Sequence, residues 1–251
     1  MDSLALLGAL IAVVAIFIGQ TLDGGHINSL LNTPAFLIVV GGSLGATMIQ
    51  VPLIVFQRAI VMFGWIFFPP TVDWTRTTNK VVMWSEVARK DGILGLDQFI
   101  SREKDPFSRK AIQLLVDGRE PVTIRHTLEI DIDTRENFDN SAAKVFEAMG
   151  GYTPTIGILA AVMGLIHVME NLSDPDNLGQ GIATAFVATI YGVGLANLLL
   201  IPVSRKMYSI VAEKSREKEM IMEGIIGIAA GENPKNIAVR LKSYDVASYA
   251  S

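Results

Sequence analysis

The stretch Gly150 to Pro202 is two apolar segments joined by a short acidic connection, and six polar side chains near its apolar face have the chemistry to touch an ion: Thr153, Thr155, Thr184, Thr189, Tyr191 and Asn197. A hydroxyl oxygen can ligate a hard cation or relay a proton. Thr189 lies midway along its apolar segment, where its hydroxyl either faces a lumen or bonds the carbonyl four residues back in its own helix. Pro154 and Pro202 bracket the stretch. Each removes a backbone donor and restricts the residue before it, so each either bounds a helix or forms a hinge between an ion site and the chain beyond. Metal chemistry has nothing to work with: His26, His126 and His167 stand at no metal-ligand spacing, there is no Cys, and H-E-x-x-H does not occur. The expectation is a protein that is not an enzyme and carries no cofactor.

The elements that must position these groups read as membrane helices. Between Val145 and Ser204 there is no Lys or Arg. Tyr152 to Leu172 and Gly181 to Val203 each match the ~20 apolar residues that span a bilayer. The connection between them, Ser173-Asp174-Pro175-Asp176-Asn177, is turn chemistry. Leu4 to Ile18 is an earlier apolar run without the basic flank or cleavage site of a secretory signal, and is expected to be retained as a first span. Pro34, at a favourable first-turn position, opens a second span over residues 35–56. Its Gly41, Gly42 and Gly45 put a small-xxx-small pair on one face, suited to close helix approach. Gln57 to Phe68, with Trp65, reads as an interfacial extension that ends at Pro69-Pro70.

From Thr71 to about Phe146 the character becomes charged and helical, with apolar positions at helical spacing (Val81, Val82, Trp84, Val87 and Ala88, then Ile112, Leu114, Leu115 and Val116). Gly92, Gly118 and Asp105-Pro106 punctuate it. A charged amphipathic helix follows the last span, from Arg205 to Ile228; Gly231-Glu232-Asn233-Pro234 stops it, and a short helix runs to Lys242.

The chain has 251 residues, 50% of them hydrophobic, and a net charge of −4, which leaves no basic footprint for nucleic acid. All 21 Lys and Arg lie between Arg58 and Lys144 or between Arg205 and Lys242. By the positive-inside rule these segments and both termini face the cytoplasm, as in a multi-pass membrane protein. The expected fold class is all-α: a polytopic membrane protein with four transmembrane helices and a helical cytoplasmic domain. Its parts are residues 1–56 (helices 1 and 2), 57–149 (interfacial helix and cytoplasmic domain), 150–203 (helices 3 and 4) and 204–251 (cytoplasmic C-terminal helices). The centres of all four spans lack Asp, Glu, Lys and Arg. His167 and Glu170 fall near the outer end of the third. Ion pathways are marked by ionisable residues, so if ions cross here a partner's helix must bring the carboxylate.

The run Pro154-Thr155-Ile156-Gly157-Ile158-Leu159-Ala160-Ala161-Val162-Met163-Gly164-Leu165-Ile166-His167 closely resembles the third transmembrane helix of the flagellar motor stator family MotA. Ala183 to Pro202, with Thr189-Ile190-Tyr191-Gly192, resembles that family's fourth helix. Val39-Val40-Gly41-Gly42-Ser43, Ala88-Arg89-Lys90-Asp91-Gly92, Leu114-Leu115-Val116-Asp117-Gly118, Ile221-Met222-Glu223-Gly224 and Gly231-Glu232-Asn233-Pro234 follow in the family's order. The resemblance implies an ion-conducting stator subunit, assembled as a pentamer around the helices of two MotB-like peptidoglycan-binding chains that supply the transmembrane Asp. Such a ring converts ion flow into torque on the rotor's switch protein. Arg89 falls on the family's basic rotor-contact position, and Asp97 falls where relatives more often carry Glu. Gln98 is neutral where some relatives carry a second acid. Pro154 and Pro202 fall on the two prolines that couple proton transfer to cytoplasmic movement. Ala161 stands where sodium-driven relatives carry a Thr, in addition to the one matching Thr189. With Tyr191 these make up the implied ion pathway, and Ala161 favours protons over sodium. The alternative within the same superfamily is an energising subunit of TolQ/ExbB type, which shares the final hairpin but has three spans.

Overall fold

Leu4 to Ile18 lies inside helix α1 (Ser3–Leu22), 20 residues or ~30 Å long at 1.5 Å per residue. The computed structural model describes residues 3–170 and 175–245. After a turn at Gly24 and a 3₁₀ turn at Ile27–Leu30, the chain enters α2 (Thr33–Phe36). Asn32 caps it by accepting from the Ala35 amide at 3.0 Å, with Pro34 in the first turn. A π-helical turn, Leu37–Gly41, leads into α3 (Gly42–Gln50). The second span therefore does not continue to Phe56. Pro52 has no N–H to offer and forces Val51 into extended backbone, φ −117° and ψ 137°, so the helix stops at Gln50. A separate helix, α4 (Leu53–Phe63), begins beyond the break and takes residues 53–56 with it.

The remaining helices are α5 (Trp74–Asp91), α6 (Asp97–Ile100), α7 (Pro106–Val116), α8 (Pro121–Glu170), α9 (Pro175–Leu195), α10 (Ile201–Ala229) and α11 (Pro234–Lys242). The expected turn between the last two spans changes at its far end, because Pro175 to Asn177 already belong to α9; Asn171 to Asp174 lie outside the described residues. Among the described residues, helices in three stretches are long and apolar enough to cross a membrane: Ile27–Gln50, Pro121–Glu170 and Leu178–Ala229. Leu7–Leu22 and Leu53–Ile66 are shorter apolar helices.

Contacts divide the chain into two units, residues 1–69 with 139–209, and residues 70–138 with 210–251. The divisions at 138 and 209 fall inside α8 and α10, where the sequence shows no break, and not at Gly150 and Ser204.

The second unit has a conventional core. Trp84, Phe107, Ile112, Leu115, Leu128, Met220, Ile225 and Ile237 are buried together, drawn from α5, α7, α8, α10 and α11. Arg125 of α8 reaches Glu223 of α10 at 2.7 Å. Glycines with positive φ, Gly92 (+79°), Gly118 (+68°) and Gly231 (+71°), end α5, α7 and α10 as their positions in the sequence lead one to expect.

Asp105 starts α7. Its carboxylate accepts from the Ser108 amide at 2.9 Å and the Ser108 hydroxyl at 2.6 Å. Burial pushes this carboxyl up, but those two hydrogen bonds and the charge of Lys80 together hold it below its ordinary value. An acid with a lowered pKa in the folded state adds stability above its unfolded pKa and loses it as pH falls through the folded value. Asp105→Ala is expected to cost about 1 kcal/mol at neutral pH, as loss of a helix cap does. In thermal melts of the solubilised protein, the gap to wild type should close below about pH 4.

Candidate functional site

The first unit is built on a seam of small residues between α8 and α9. A Cβ placed on Gly157 would lie 2.9 Å from the Ala188 carbonyl oxygen and 3.0 Å from the Gly192 Cα. One on Gly192 would lie 3.0 Å from the Thr153 carbonyl oxygen and 3.3 Å from the Pro154 Cα. Further along, one on Gly164 would lie 3.0 Å from the Gly181 carbonyl oxygen. The pairings 153–192, 157–188 and 164–181 make the helices antiparallel. Lipid tails are as apolar as leucine, so only close packing and polar contacts hold such helices together, and glycine lets the backbones meet. Ala35, Val39, Ala160, Val187 and Ala188 form a small buried cluster that brings the second span against this pair.

Of the three glycines of the second span expected to let another helix approach closely, one does so. Gly41 and Gly45 face open space in the single chain, and it is Gly42 that meets the Ile156 side chain. The signal was present in the spacing Gly157-x-x-Ala160-x-x-x-Gly164, matched by Gly181-x-x-x-Ala185-x-x-Ala188-x-x-x-Gly192.

Ala161 and Thr189 each follow a fully buried seam residue, Ala160 and Ala188. One residue is 100° of helix, and in an antiparallel pair that step turns both side chains to the same side. Ala161 is half-buried and Thr189 exposed, so the hairpin carries both on one face, less than a turn (~5 Å) apart along its axis. The Thr189 hydroxyl donates to the Ala185 carbonyl at 3.2 Å, the self-bonded alternative.

Tyr191 points elsewhere. Its hydroxyl donates to the Leu30 carbonyl and accepts from the Asn32 amide at 3.2 Å, and its ring meets Phe36 edge-on at 6.0 Å. Asn32 also donates through Nδ2 to the Thr184 hydroxyl at 2.8 Å. Tyr191 and Thr184 thus fasten the connection between α1 and α2 to α9, a role that spacing alone did not disclose.

Neither proline ends a helix. Pro154 lies inside the 50-residue α8, half-buried. An interior proline leaves the carbonyl four residues back without its N–H. Flanking hydroxyls take up neighbouring carbonyls: Thr153 donates to Met149, and Thr155 to Tyr152 at 2.8 Å. Pro202 is exposed and follows a π-helical turn, Ala196–Leu200, closed by the Ile201 amide on the Ala196 carbonyl. The wider turn makes room for the proline ring, so α9 and α10 run on through it.

Also unforeseen is the ion pair of Arg58 and Asp139, joined by Nε at 2.7 Å and Nη2 at 3.1 Å, with the guanidinium 5.2 Å from the Trp65 ring. Nearby, Phe63 stacks on Phe146 at 5.6 Å.

In the second unit, Arg89 sits in the last turn of α5 and Asp97 begins α6. Both are exposed, and neither has an ion-pair partner among the described residues. Among the described residues no group of His, Cys, Asp and Glu could hold a metal.

A helical membrane protein with a glycine seam, no Asp, Glu, Lys or Arg at the span centres and a solvent-facing charged edge is the class these features define. The profile of the MotA/TolQ/ExbB proton channel family matches residues 100–220, and that of the motility protein A N-terminal region matches residues 6–91. Motility protein A of Helicobacter pylori is 31% identical over 97% of this chain and 95% of its own length. Chemotaxis protein PomA of Vibrio alginolyticus shows the same identity over the same shares, and motility protein A of Aquifex aeolicus is 33% identical over 93% of this chain and 92% of its own. Among solved structures, C. jejuni MotAB superposes with a TM-score of 0.92 at 28% identity over 97% of this chain and 96% of that one. The flagellar MotAB stator complex of Bacillus subtilis gives 0.87 at 28% identity over 98% and 96%. This chain belongs to the motility protein A family.

Proposed function

We propose that this chain is the ion-conducting subunit of a bacterial flagellar stator, coupling proton flow across the inner membrane to torque on the rotor. The observation that carries this is the combination of a channel-family fold with spans whose centres have no carboxylate. A MotB-like chain anchored to peptidoglycan brings the missing Asp, and copies of this subunit surround its helix, five to a ring. Both termini and the charged unit face the cytoplasm. The likeness to solved MotAB complexes supports this partnership.

The face carrying Ala161 and Thr189 receives the partner's helix. Ala161 has no side-chain oxygen to offer a hard cation. A proton needs only the partner carboxylate and water. Each charge that crosses supplies ~2.3 kcal/mol per 100 mV of potential. Pro154 and the turn before Pro202 are the places where α8 and α10 yield as the carboxylate changes charge, and Arg89 and Asp97 carry the motion to the rotor's switch protein.

The test is intracellular pH after an external acid step, in cells co-expressing this subunit with its partner. Acidification is expected, and it should vanish when the partner's transmembrane Asp becomes Asn. Swimming should persist without sodium. Swimming that stops in sodium-free medium at constant membrane potential would overturn the proton assignment.

A further inference from the structure

Between Arg89 and Asp97 the structure holds a large apolar side chain out into solvent. Leu94 is 76% exposed, on the 3₁₀ turn Ile93–Leu96 that joins α5 to α6. Its exposure is imposed by its neighbours. Leu96 is fully buried in the core of the second unit and pins one end of the turn. Gly92, with φ +79°, sets the reversal at the other end, and its carbonyl accepts from the Gly95 amide at 3.0 Å. Gly95 presses directly on α5: a Cβ there would lie 2.9 Å from the Asp91 Cβ and 3.4 Å from the Val87 Cγ1. The Gln98 amide donates back to the Gly95 carbonyl at 3.0 Å. With residues 95 and 96 held inward, residue 94 must point out.

Side chains three apart on a 3₁₀ turn eclipse one another, so Leu94 and Asp97 project to the same side. Arg89 lies one short turn back and lines a recess of about 190 Å³ with Ala88, Ile93, Ile228 and Glu232. The result is an apolar knob on a rigid turn, flanked by an unpaired cation and an unpaired anion. Interfaces concentrate their energy in such buried apolar anchors, while rim charges contribute to register and encounter rate.

We propose that Leu94 is the anchor of the docking edge: it seats in an apolar hollow on a partner protein surface that presents an acid to Arg89 and a base to Asp97. This rests on the reading of Arg89 and Asp97 as rotor contacts, and assigns to the charges orientation and to Leu94 the grip. An exposed ion pair is worth little by itself, so the two charges need such an anchor beside them.

The experiment compares stall torque in cells carrying Leu94→Ser, Leu94→Met or the paired reversal Arg89→Glu with Asp97→Arg, at matched amounts of protein in the membrane. Leu94→Ser is expected to reduce torque about tenfold, the loss that follows removal of an interface anchor. Leu94→Met, which keeps apolar volume, should stay within about twofold of wild type. Normal torque in Leu94→Ser beside a failing charge reversal overturns the anchor and leaves the docking edge in place. Normal torque in both overturns the docking reading itself. A photo-crosslinking residue at position 94 gives a measurement that does not depend on how Leu94→Ser folds. It should yield an adduct identified by mass as the rotor switch protein; no adduct at 94 beside a clear one at 89 would also overturn the anchor.

Discussion

Gly192→Leu is expected to abolish swimming and the partner-dependent proton flux together. At this position even a methyl would approach the Thr153 carbonyl oxygen at 3.0 Å, the Gly157 Cα at 3.1 Å and the Pro154 Cα at 3.3 Å, all of them backbone atoms with no rotamer to yield. A leucine must part α8 from α9 along the seam that places Ala161 and Thr189 on one face. Overpacking costs ~1–3 kcal/mol where a core can adjust and more where it cannot. Lipid exerts no hydrophobic pressure to close the gap again. Gly192→Ala should give an intermediate defect, since its neighbours need give by only a few tenths of an ångström. Gly194, where a Cβ meets nothing within 4 Å, provides the matched control: Gly194→Ala should melt no lower than wild type, alanine being the better helix former by ~1 kcal/mol. Melting temperature in detergent, read beside the acid-step assay, checks the ordering. A Gly192→Leu protein that melts and conducts like wild type would show that the seam is not what holds the hairpin.

Arg58→Ala should be the most damaging single change outside the seam. Its guanidinium grips Asp139 with two hydrogen bonds, and the two side chains are only 30% and 14% exposed. Removing one partner of a largely buried pair strands the other charge, at ~3–5 kcal/mol when burial is complete; partial exposure brings the expected cost to ~2 kcal/mol. The same reasoning makes a sharper prediction. Replacing both partners by apolar residues, as in Arg58→Met with Asp139→Leu, should recover most of the loss, because no unpaired charge then remains. Chemical denaturation of the solubilised protein would measure both variants. A double variant no more stable than Arg58→Ala would mean that the pair acts through the charge itself, for instance by holding α4 at the membrane surface beside Trp65.

These expectations depend on features of different legibility. The apolar runs, the absence of Lys and Arg between Val145 and Ser204, and the turn glycines Gly92, Gly118 and Gly231 are local patterns, and local patterns survive reading one residue at a time. Asn233-Pro234 likewise announced a helix start, since a cap needs only its own next three residues. The break at Pro52 was equally local, yet the apolar residues on either side of it masked the stop at Gln50.

Pro154 went the other way. A proline that ends a helix in most settings sits within α8, because Thr153 and Thr155 supply hydrogen bonds to nearby carbonyls and Gly192 lets α9 support it at backbone contact. Sequence by itself determined the helical membrane class and the missing carboxylate. Only the tertiary structure decided that Gly157 pairs with Ala188 and Gly192, that Tyr191 fastens Leu30 and Asn32, that Arg58 finds Asp139 across 81 positions, and that Leu94 is turned outward. Each of those depends on which faces of distant helices meet, and a helix exposes its candidates for contact all around its axis. Packing selects among them, and in a membrane it does so by shape and hydrogen bonding rather than by hydrophobicity, the property a sequence displays most plainly.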